Sequence, residues 1–493
     1  MMGLKKILSE REIKKIDLLT IEKNNLQSID LMEQAAEAFV QYLMTQHIAN
    51  QTIIVLCGPG NNGGDGLAIA RLLNEHGFDT KAYLINTKKE VSSDCSVNLK
   101  RLPSTILVSK RSQIPDVSNA DIIIDALFGI GLHGSLEGLY AQMIQAVNDS
   151  KKLVYSVDVP SGLPADSITN SDSVICADMT LTFQRPKVSF FFPEHKHFIK
   201  KWVVIDIGLN EKLIQKSHSK IFALDKEIQN QVKARTKFSH KGHFGHALLL
   251  AGSYGKMGAA VLAARAMMKS GVGLLTVQVP KCGVNIMQVS VPEAMCIEDT
   301  SDSSLTKLPN IKPYNVVVLG PGIGTDAPTE QLIHQLLKTT EVPLVIDADA
   351  INILSKHPEW TRHLPKGSVL TPHIKEFDRL MGGVSQSSDR LIQAQDFAAK
   401  HHCVVVLKDA CTWVIDSKGN RFIHYGGNPG MSTAGSGDVL TGIIGSLIAQ
   451  KYDSSEAACI GVFHHGLAGD TAVKTTGYMG LTASAIIDNL KID

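Results

Sequence analysis

Ala434-Gly435-Ser436-Gly437-Asp438 stands directly before the apolar run VLTGIIGSLIA. Glycines let successive backbone N–H groups converge on one point, and a helix beginning there adds positive potential. Together they make an anion hole suited to a phosphoryl group in transfer. Asp438 stands at its lip, where a carboxylate takes the proton of an attacking hydroxyl. An Asp in a first helical turn is also stabilised by the dipole alone, but the A-G-S-G loop before it favours chemistry. Asp347 and Asp349 follow the apolar run PLVI. At the end of a parallel strand such carboxylates help to hold Mg²⁺, or Asp349 caps the next helix. His373, in Thr-Pro-His with Glu376 in the next turn, joins the candidates.

The first half carries its own chemistry. Residues 52–66, TIIVLCGPGNNGGDG, place glycines 58, 60 and 63 in G-x-G-x-x-G spacing after an apolar strand, as in a dinucleotide-binding turn. A dinucleotide fingerprint expects an acid at the end of the next strand, yet KAYLIN ends on Asn86. Asp65 also conflicts with a plain phosphate cradle; it is expected to hydrogen-bond the loop's own backbone or a sugar hydroxyl. The glycines of 129–134 offer a second set of N–H groups. Asp125, Asp158 and Ser161 each sit at or just after an Ile/Val-rich strand, facing one crevice. Singly each is a cap or turn former; together, with two glycine loops, they read as a site.

These residues need elements to position them. Residues 9–43 read as helical, with capping-box spacing at Ser9–Glu12 and at Asp30–Glu33. From residue 52 strands and helices alternate through TIIVL, GLAIARLLNEHG, KAYLI, DIIIDAL, LYAQMIQAVND and KLVYSVDV, which predicts a parallel sheet covered on both faces. The rhythm ends near WVVIDIGL (202–209), and a polar, Lys-rich stretch places a boundary around 215–235. A second α/β series runs from HALLLAGS, with a hairpin across Asp416–Gly419 and closing helices from Ser436. At 493 residues the chain exceeds one core and predicts two or three domains.

A formal net charge of +1 and a pI near 7.7 give no broad footprint for nucleic acid or an anionic membrane. Eight scattered cysteines without a C-x-x-C pair read as free thiols in a reducing compartment. No signal peptide or membrane-length apolar run is seen, so the expected location is the cytoplasm.

The stretches GSYGKMGAA (252–260), GPGIGT (320–325), DADAIN (347–352), TPHIKEF (371–377), NPGM (428–431) and AGSGDVLTG (434–442) resemble the ribokinase-like fold, and within it the ADP- or ATP-dependent NAD(P)H-hydrate dehydratases. The resemblance spans about residues 225–493. It implies phosphorylation of the C6 hydroxyl of a hydrated nicotinamide ring by ADP or ATP, with Mg²⁺ accompanying the nucleotide, then elimination of phosphate. It carries over Asp438 as base, Ala259, Ala260, Gly324 and His373 as hydrate contacts, and Gly437 with Lys408, Asp409, Ala410, Cys411 and Thr412 as nucleotide contacts. The family's Lys-Gly-x-x-Thr here reads Lys408-Asp409-Ala410-Cys411-Thr412, which sets an acid near a polyphosphate.

GPGNNGGDG (58–66), DALFGIGLHGS (125–135), VDVPSGL (157–163), TFQRPKVSFF (182–191) and LMEQAAEAF resemble the NAD(P)H-hydrate epimerase domain over about residues 10–215. That family interconverts the R and S epimers at C6 and binds K⁺. The resemblance implies dinucleotide contacts at Asn61, Asn62, Gly63, Gly64 and Asp65 and at Gly129, Ile130, Gly131, Leu132, His133, Gly134 and Ser135. It implies K⁺ ligands at Asn62, Asp125 and Ser161, a substrate contact at Asp158, and Lys187 acting beside it. All-oxygen ligation suits a hard alkali cation.

The expectation is therefore an α/β chain of two domains: a Rossmann-like three-layer sandwich over 1–220 and a ribokinase-like three-layer sandwich over 221–493. Its substrates would be NADHX, NADPHX and ADP or ATP, with no nucleic acid or membrane partner, and analogy implies a homo-oligomer. The competing reading is a ribokinase-like kinase of a small hydroxylated metabolite fused to a non-catalytic Rossmann-like binding module. A kinase releases a stable phosphate ester; a dehydratase releases NADH and inorganic phosphate.

Overall fold

Strand residues of the first half alternate between two apolar layers. Ile53, Val55 and Cys57 join one buried cluster with Ile122, Ile124 and Ala126, while Ile54, Leu56 and Ile123 join another. Period-two side-chain alternation with both sets apolar demands cover on both faces of a sheet. The structure, a computed structural model, describes residues 3–46, 50–87, 90–132, 134–384 and 386–492. It divides into two compact units: Lys6–Ser219, and Lys220 onward together with the N-terminal residues up to Lys5.

In the first unit the elements are β1 (Lys6–Ile7), α1 (Glu10–Asn24), α2 (Ser28–Met44), β2 (Thr52–Cys57), α3 (Asn61–Glu75), β3 (Asp79–Ile85), α4 (Ser93–Arg101), β4 (Ile106–Val108), β5 (Ile122–Ala126), α5 (Gly138–Ser150), β6 (Leu153–Val157), β7 (Met179–Phe183), β8 (Trp202–Ile205) and α6 (Glu211–Gln215). The sheet runs β4-β3-β2-β5-β6-β7-β8, every pair parallel. Strand order reverses between β2 and β5, so a crevice opens at their carboxyl ends. The loops Gly58–Gly60 and Leu127–Leu132 leave from those two ends.

The second unit contains β9 (Ile221–Ala223), β10 (His246–Leu250), α7 (Met257–Lys269), β11 (Leu274–Val279), α8 (Val284–Ser290), β12 (Met295–Glu298), β13 (Val316–Leu319), α9 (Ala327–Thr339), β14 (Leu344–Ile346), α10 (Ala348–Lys356), β15 (Val369–Leu370), α11 (Ile374–Leu380), α12 (Ser387–His401), β16 (Val404–Leu407), β17 (Thr412–Ile415), β18 (Arg421–His424), α13 (Ser436–Ala449), α14 (Ser454–Thr476) and α15 (Ala483–Asp488). Strands β12-β11-β10-β13-β14-β15-β16 pair in parallel. The β17–β18 hairpin then adds antiparallel to β16, turning where the Asp416–Gly419 signal predicts. Here the order reverses between β10 and β13. Ala247, Leu249, Val316 and Val318 pack with α7, α13 and α14 on one face; Leu248, Val317 and Leu344 are equally buried on the other. Helix α13 is apolar all round, and every residue from Val439 to Ala449 is buried. Its Leu440, Ile443, Ile444, Leu447 and Ile448 each contribute roughly 1.5–3 kcal/mol by burial.

Two helix starts differ from expectation. The capping box of α1 forms as predicted, with Ser9 N–H donating to Glu12 Oε2 at 3.0 Å. For α2 the box is Gln27 with Asp30, whose Oδ2 accepts Gln27 N–H at 2.8 Å. Glu33 is drawn away by ion pairs with Arg71 and Arg101. In the second unit Asp347, not Asp349, occupies the N-cap of α10, and Asp349 lies inside the first turn.

The G-x-G-x-x-G glycines owe their identity to packing. A Cβ on Gly58 would lie 1.8 Å from Leu127 O, and one on Gly63 would lie 1.7 Å from Gly58 O, whereas nothing lies within 4 Å of one on Gly60. We expect Gly63→Ala to destabilise the first unit by ~1–3 kcal/mol or more and Gly60→Ala to stay within about 1 kcal/mol of the parent. Chemical denaturation of the two variants checks this; equal losses would contradict it.

Candidate active sites

In the first unit the strand-order crevice is a cavity of about 400 Å³. Asn61, Asn62 and Asp65 line it from the start of α3, and Gly129, Ile130, Gly131 and Leu132 from the loop after β5. Asp158 and Lys187 line it as well, as do Lys14 and Asp17 of α1. Asp158 follows β6 in a left-handed conformation, φ 64°, which a non-glycine residue holds only against strain of ~1–3 kcal/mol. Lys187 is only 1% exposed. Its ammonium donates to Asp158 Oδ1 at 2.6 Å, Thr182 Oγ1 at 3.0 Å, Arg185 O at 3.2 Å and Phe183 O at 3.3 Å. Asp158 Oδ1 also accepts Phe183 N–H at 2.9 Å and Thr182 Oγ1 at 3.2 Å. All these contacts fall on Oδ1, so Oδ2 is left for the cavity.

Beneath this wall Asp125 is fully buried. Its oxygens accept Ser161 Oγ at 2.5 Å, Ser156 Oγ at 2.8 Å and Ser161 N–H at 2.9 Å. Burial pushes the Asp125 carboxyl up, against these hydrogen bonds that pull it down. Ser161 Oγ also lies 3.1 Å from Phe128 O. Asn62 abuts Gly129, and its Nδ2 is buried without a partner among the described residues. Of the two partners expected for Asp65, its own loop supplies no hydrogen bond among the described residues, because the residue lies inside α3 rather than in the turn. Burial, then the charge of Asp158, pushes its carboxyl well above the usual range. Gly63 and Gly64 pack against Gly58 and Met32 rather than lining the cavity. Gly134 and Ser135 are exposed and lie away from it, and His133 lies outside the described residues.

In the second unit a cavity of about 730 Å³ is lined by His373, Lys408, Asp409, Ala410 and Thr412 with Ser436 and Gly437. Gly435 turns the chain into α13 with φ 86°. From that helix Asp438 and Thr441, three residues apart, share a face. Thr441 Oγ1 donates to Asp347 Oδ2 at 2.7 Å, and Lys408 Nζ donates to Asp347 Oδ1, also at 2.7 Å. Both oxygens of Asp347 are therefore taken. A side chain on Gly437 would sit 3.1 Å from Lys408 Nζ, so glycine leaves the ammonium room at the helix start. Asp438 makes no hydrogen bond among the described residues. Burial, then the charge of Asp347, pushes its carboxyl up to about 7, while Lys408 pulls the other way.

Asp349 accepts Gly324 N–H at 3.0 Å and pairs with Lys256 at 3.2 Å. This brings Gly324 into the electrostatic neighbourhood of Asp438. Ala259 borders Gly322 in that loop. Ala260, expected to touch a ligand, is instead fully buried in the core, one position further round α7. His373 caps α11, accepting Glu376 N–H at 3.2 Å, while its ring faces the cavity. Cys411 is turned inward, and burial pushes its thiol up to about 12.

Several lining residues carry no local sequence signal. Asp17 sits in an ordinary-looking helix. His424 and His465 come from β18 and α14. Burial lowers His465 to about 4, leaving it neutral beside Ser436 Oγ at 3.2 Å. Asp470 of α14 holds the Gly427–Asn428 turn, accepting Gly427 N–H at 3.0 Å and Asn428 Nδ2 at 2.9 Å. Only the folded hairpin brings these groups together.

Residues 247–491 match the family described as NAD(P)H-hydrate dehydratase, and residues 28–189 match that described as YjeF-related protein N-terminus. The chain is 34% identical to a bifunctional NAD(P)H-hydrate repair enzyme Nnr of Moorella thermoacetica, across 98% of this chain and 96% of the relative. It is 33% identical to the protein of the same name from Coxiella burnetii, across 99% of each. Among solved structures, an ADP/ATP-dependent NAD(P)H-hydrate dehydratase from Bacillus subtilis, co-crystallised with ATP/Mg²⁺, is similar at 27% identity. That match covers 54% of this chain and 94% of the other, with a TM-score of 0.46.

A carboxyl raised from its ordinary value to about 7 costs stability where it must ionise. The native state binds this proton more tightly than the unfolded chain, so the associated stability is present at low pH and lost as pH rises through about 7. Asp438→Asn should therefore raise the melting temperature at pH 8 and do so less at pH 5.5. An equal shift at both pH values in scanning calorimetry would contradict the burial argument.

Proposed function

The chain belongs to the bifunctional NAD(P)H-hydrate repair enzymes, and from that premise we propose how its two cavities divide the chemistry. The protein repairs hydrated NADH and NADPH, interconverting the R and S epimers of NAD(P)HX and dehydrating the S epimer with a nucleoside phosphate. We assign dehydration to the unit from Lys220 onward and epimerisation to Lys6–Ser219.

The observation that carries the first assignment is Asp438: a half-buried carboxylate with no hydrogen-bond partner among the described residues, beside Lys408 and Gly437 at the start of α13. A base poised near neutrality takes the proton of the C6 hydroxyl as that oxygen attacks the terminal phosphoryl group. The N–H groups at the start of α13 and the Lys408 ammonium face the developing charge on the transferred group. Phosphate then leaves C6 as the ring nitrogen lone pair forms C6=N1, and loss of a proton from C5 to solvent makes the C5=C6 double bond and returns the pair to nitrogen. Thr441 and Asp347 hold Lys408 in place. Lys408–Thr412 would hold ADP or ATP, and Ala259, Gly324 and His373 the hydrate. Asp347 and Asp349 are engaged by protein donors, so Mg²⁺ would arrive on the nucleotide phosphates, where it neutralises charge.

For epimerisation, Asp158 presents Oδ2 to the cavity, fixed by the Lys187 clamp, to exchange a proton with the oxygen on C6. Asn62, Asp125 and Ser161 would supply an all-oxygen set; Ser161 bonds Asp125, a buried carboxylate that has no cationic side chain in ion-pair contact among the described residues. That donor chemistry fits K⁺. K⁺ would neutralise Asp125 and lend positive potential to the loops Asn61–Asp65 and Gly129–Leu132 that meet the dinucleotide. The cysteines are all free thiols, which supports a reducing cytoplasm, and no helix of the described residues is long and apolar enough to cross a membrane.

A 340 nm assay on mixed-epimer NADHX, with ADP and ATP tested separately, measures both activities. Wild-type protein should convert the whole mixture to NADH and inorganic phosphate. Asp438→Asn should lower dehydration by ~10²–10⁴-fold and leave epimer equilibration intact. Asp158→Ala should stop conversion once the S epimer is consumed, on a time scale shorter than spontaneous epimerisation. Release of a stable phosphate ester, or unchanged equilibration in Asp158→Ala, would overturn the corresponding assignment. Because the base must be ionised, kcat/KM for dehydration should fall about tenfold per pH unit below about 7. A flat profile down to pH 5 would remove Asp438 from that role.

A further inference from the structure

The epimerase cavity holds more negative charge than its lysines can match. Its charged lining is Lys14, Asp17, Asp65, Asp158 and Lys187. The Lys187 ammonium is spent on Asp158 Oδ1 at 2.6 Å, and Lys14 pairs with Glu10 at 2.6 Å. Asp17 and Asp65 make no hydrogen bond or ion pair among the described residues, and Asp65 is only 9% exposed. The other acids of α1 near its start are all engaged: Glu10 with Lys14, and Glu12 in the cap with Ser9. Asp17 is set one turn after Ile13, and these two with Lys14 face the cavity, while Ile16 and Thr20 are buried alongside. A carboxylate on an inward helix stripe with no partner has no packing or capping reason to be there.

We propose that Asp17 is a second acid–base residue of the epimerase site, reaching the substrate from α1 while Asp158 reaches it from the end of β6. The proposal rests on assigning this cavity to epimerisation. It divides the two carboxylates by their surroundings. Asp158 is ion-paired with Lys187. Asp17, facing Asp158, Asp65, Lys187 and Lys14, is pushed up to about 7, mainly by burial and then by the charge of Asp158. Carboxylates whose environments separate their proton affinities supply an acid and a base to one reaction. Asp65, less exposed than Asp17, is likewise pushed well above the usual range, by burial and then by the charge of Asp158.

The step balances without any further reactant. Protonated Asp17 gives its proton to the C6 hydroxyl, and the C6–O bond breaks with its electron pair leaving as water. The N1 lone pair forms the C6=N1 iminium bond. Water then adds to the other face of C6 through its oxygen, the C=N π pair returns to N1, and the added water's proton passes to Asp158. Asp17 ends ionised and Asp158 protonated; the reverse epimerisation or exchange with solvent restores both.

The test follows epimer equilibration of NADHX by chromatography with the full-length chain and no nucleotide, from about pH 5.5 to 9, for wild type, Asp17→Asn and Asp17→Glu. Acid catalysis by Asp17 requires the protonated form, so the wild-type rate should fall as pH rises through about 7. Asp17→Asn should be slower by ~10²-fold, with its residual rate free of that fall, and Asp17→Glu should recover at least about a tenth of the rate. An Asp17→Asn rate within about threefold of wild type, or the same alkaline fall in that variant, overturns the proposal. Should Asp17→Asn fail to fold, a wild-type or Asp17→Glu profile without a fall above pH 7 overturns it. A wild-type chain that does not equilibrate the epimers at all sinks the cavity's assignment itself, which is a different result from loss on substituting Asp17.

Discussion

A carboxylate at the carboxyl end of a parallel strand, clamped by a lysine, is the interaction on which each site depends. Asp158 holds Lys187 at 2.6 Å and Asp347 holds Lys408 at 2.7 Å. Strand ends converge on a ligand crevice because the sheet is parallel, but the low dielectric that makes the crevice useful also makes a lone charge there costly. Removing one partner of such a pair costs about 3–5 kcal/mol. The clamp fixes a positive charge, and it leaves the next carboxylate along without a cation. That second group is Asp17 in one unit and Asp438 in the other, each pushed up to about 7. Reactivity here follows from an electrostatic shortage arranged around a satisfied pair.

The backbone carries part of the arrangement. Asp158 has φ 64°, and Ala348, which follows Asp347, has φ 47°. Both are left-handed non-glycine residues just past the end of a parallel strand, before a loop in one unit and at the start of α10 in the other. Such conformations persist only when surrounding contacts over-determine them. For Asp158 those contacts are the Lys187 ammonium, the Thr182 hydroxyl and the Phe183 N–H, all donating to Oδ1. For Ala348 they include Asp347, tied on both oxygens by Lys408 and Thr441. Strain and clamp therefore occur together, and each explains why the other is tolerated.

Much of this was legible in the residues. Apolar runs at strand spacing, glycine loops at strand ends and a carboxylate at a helix start are local signals, and they located Gly58–Asp65, the loop from Gly129, Asp158 and Asp438. The alternation of Ile53 and Ile54 between two faces already required helices on both. What escaped depends on distance along the chain. Asp17 reads as one more acid in a charged helix until α1 is laid over the crevice. His424 and His465 meet only after β18 folds back beside α14. Glu33 looked like a capping partner because spacing does not show that Arg71 and Arg101 compete for it. Ala259 and Ala260 are indistinguishable by type, and the helical rotation of about 100° per residue alone decides which one faces a ligand. The three glycines of the first loop were legible as a motif but not as a cause: Gly63 is excluded from having a side chain by Gly58 O rather than by a phosphate.

The turn at Gly435–Gly437 is fastened to α13, a helix with no solvent face from Val439 onward. Most ligand loops hang from an edge and open by fraying, at a small fraction of the cost of unfolding a domain. This one has no comparable hinge, since releasing it means withdrawing α13 from between α7, α14 and the sheet. A ligand held at this turn would then protect the second unit against unfolding and proteolysis, in proportion to the logarithm of its concentration above its dissociation constant. Ligand supply would thus act on how long this half of the chain survives as well as on how fast it turns over.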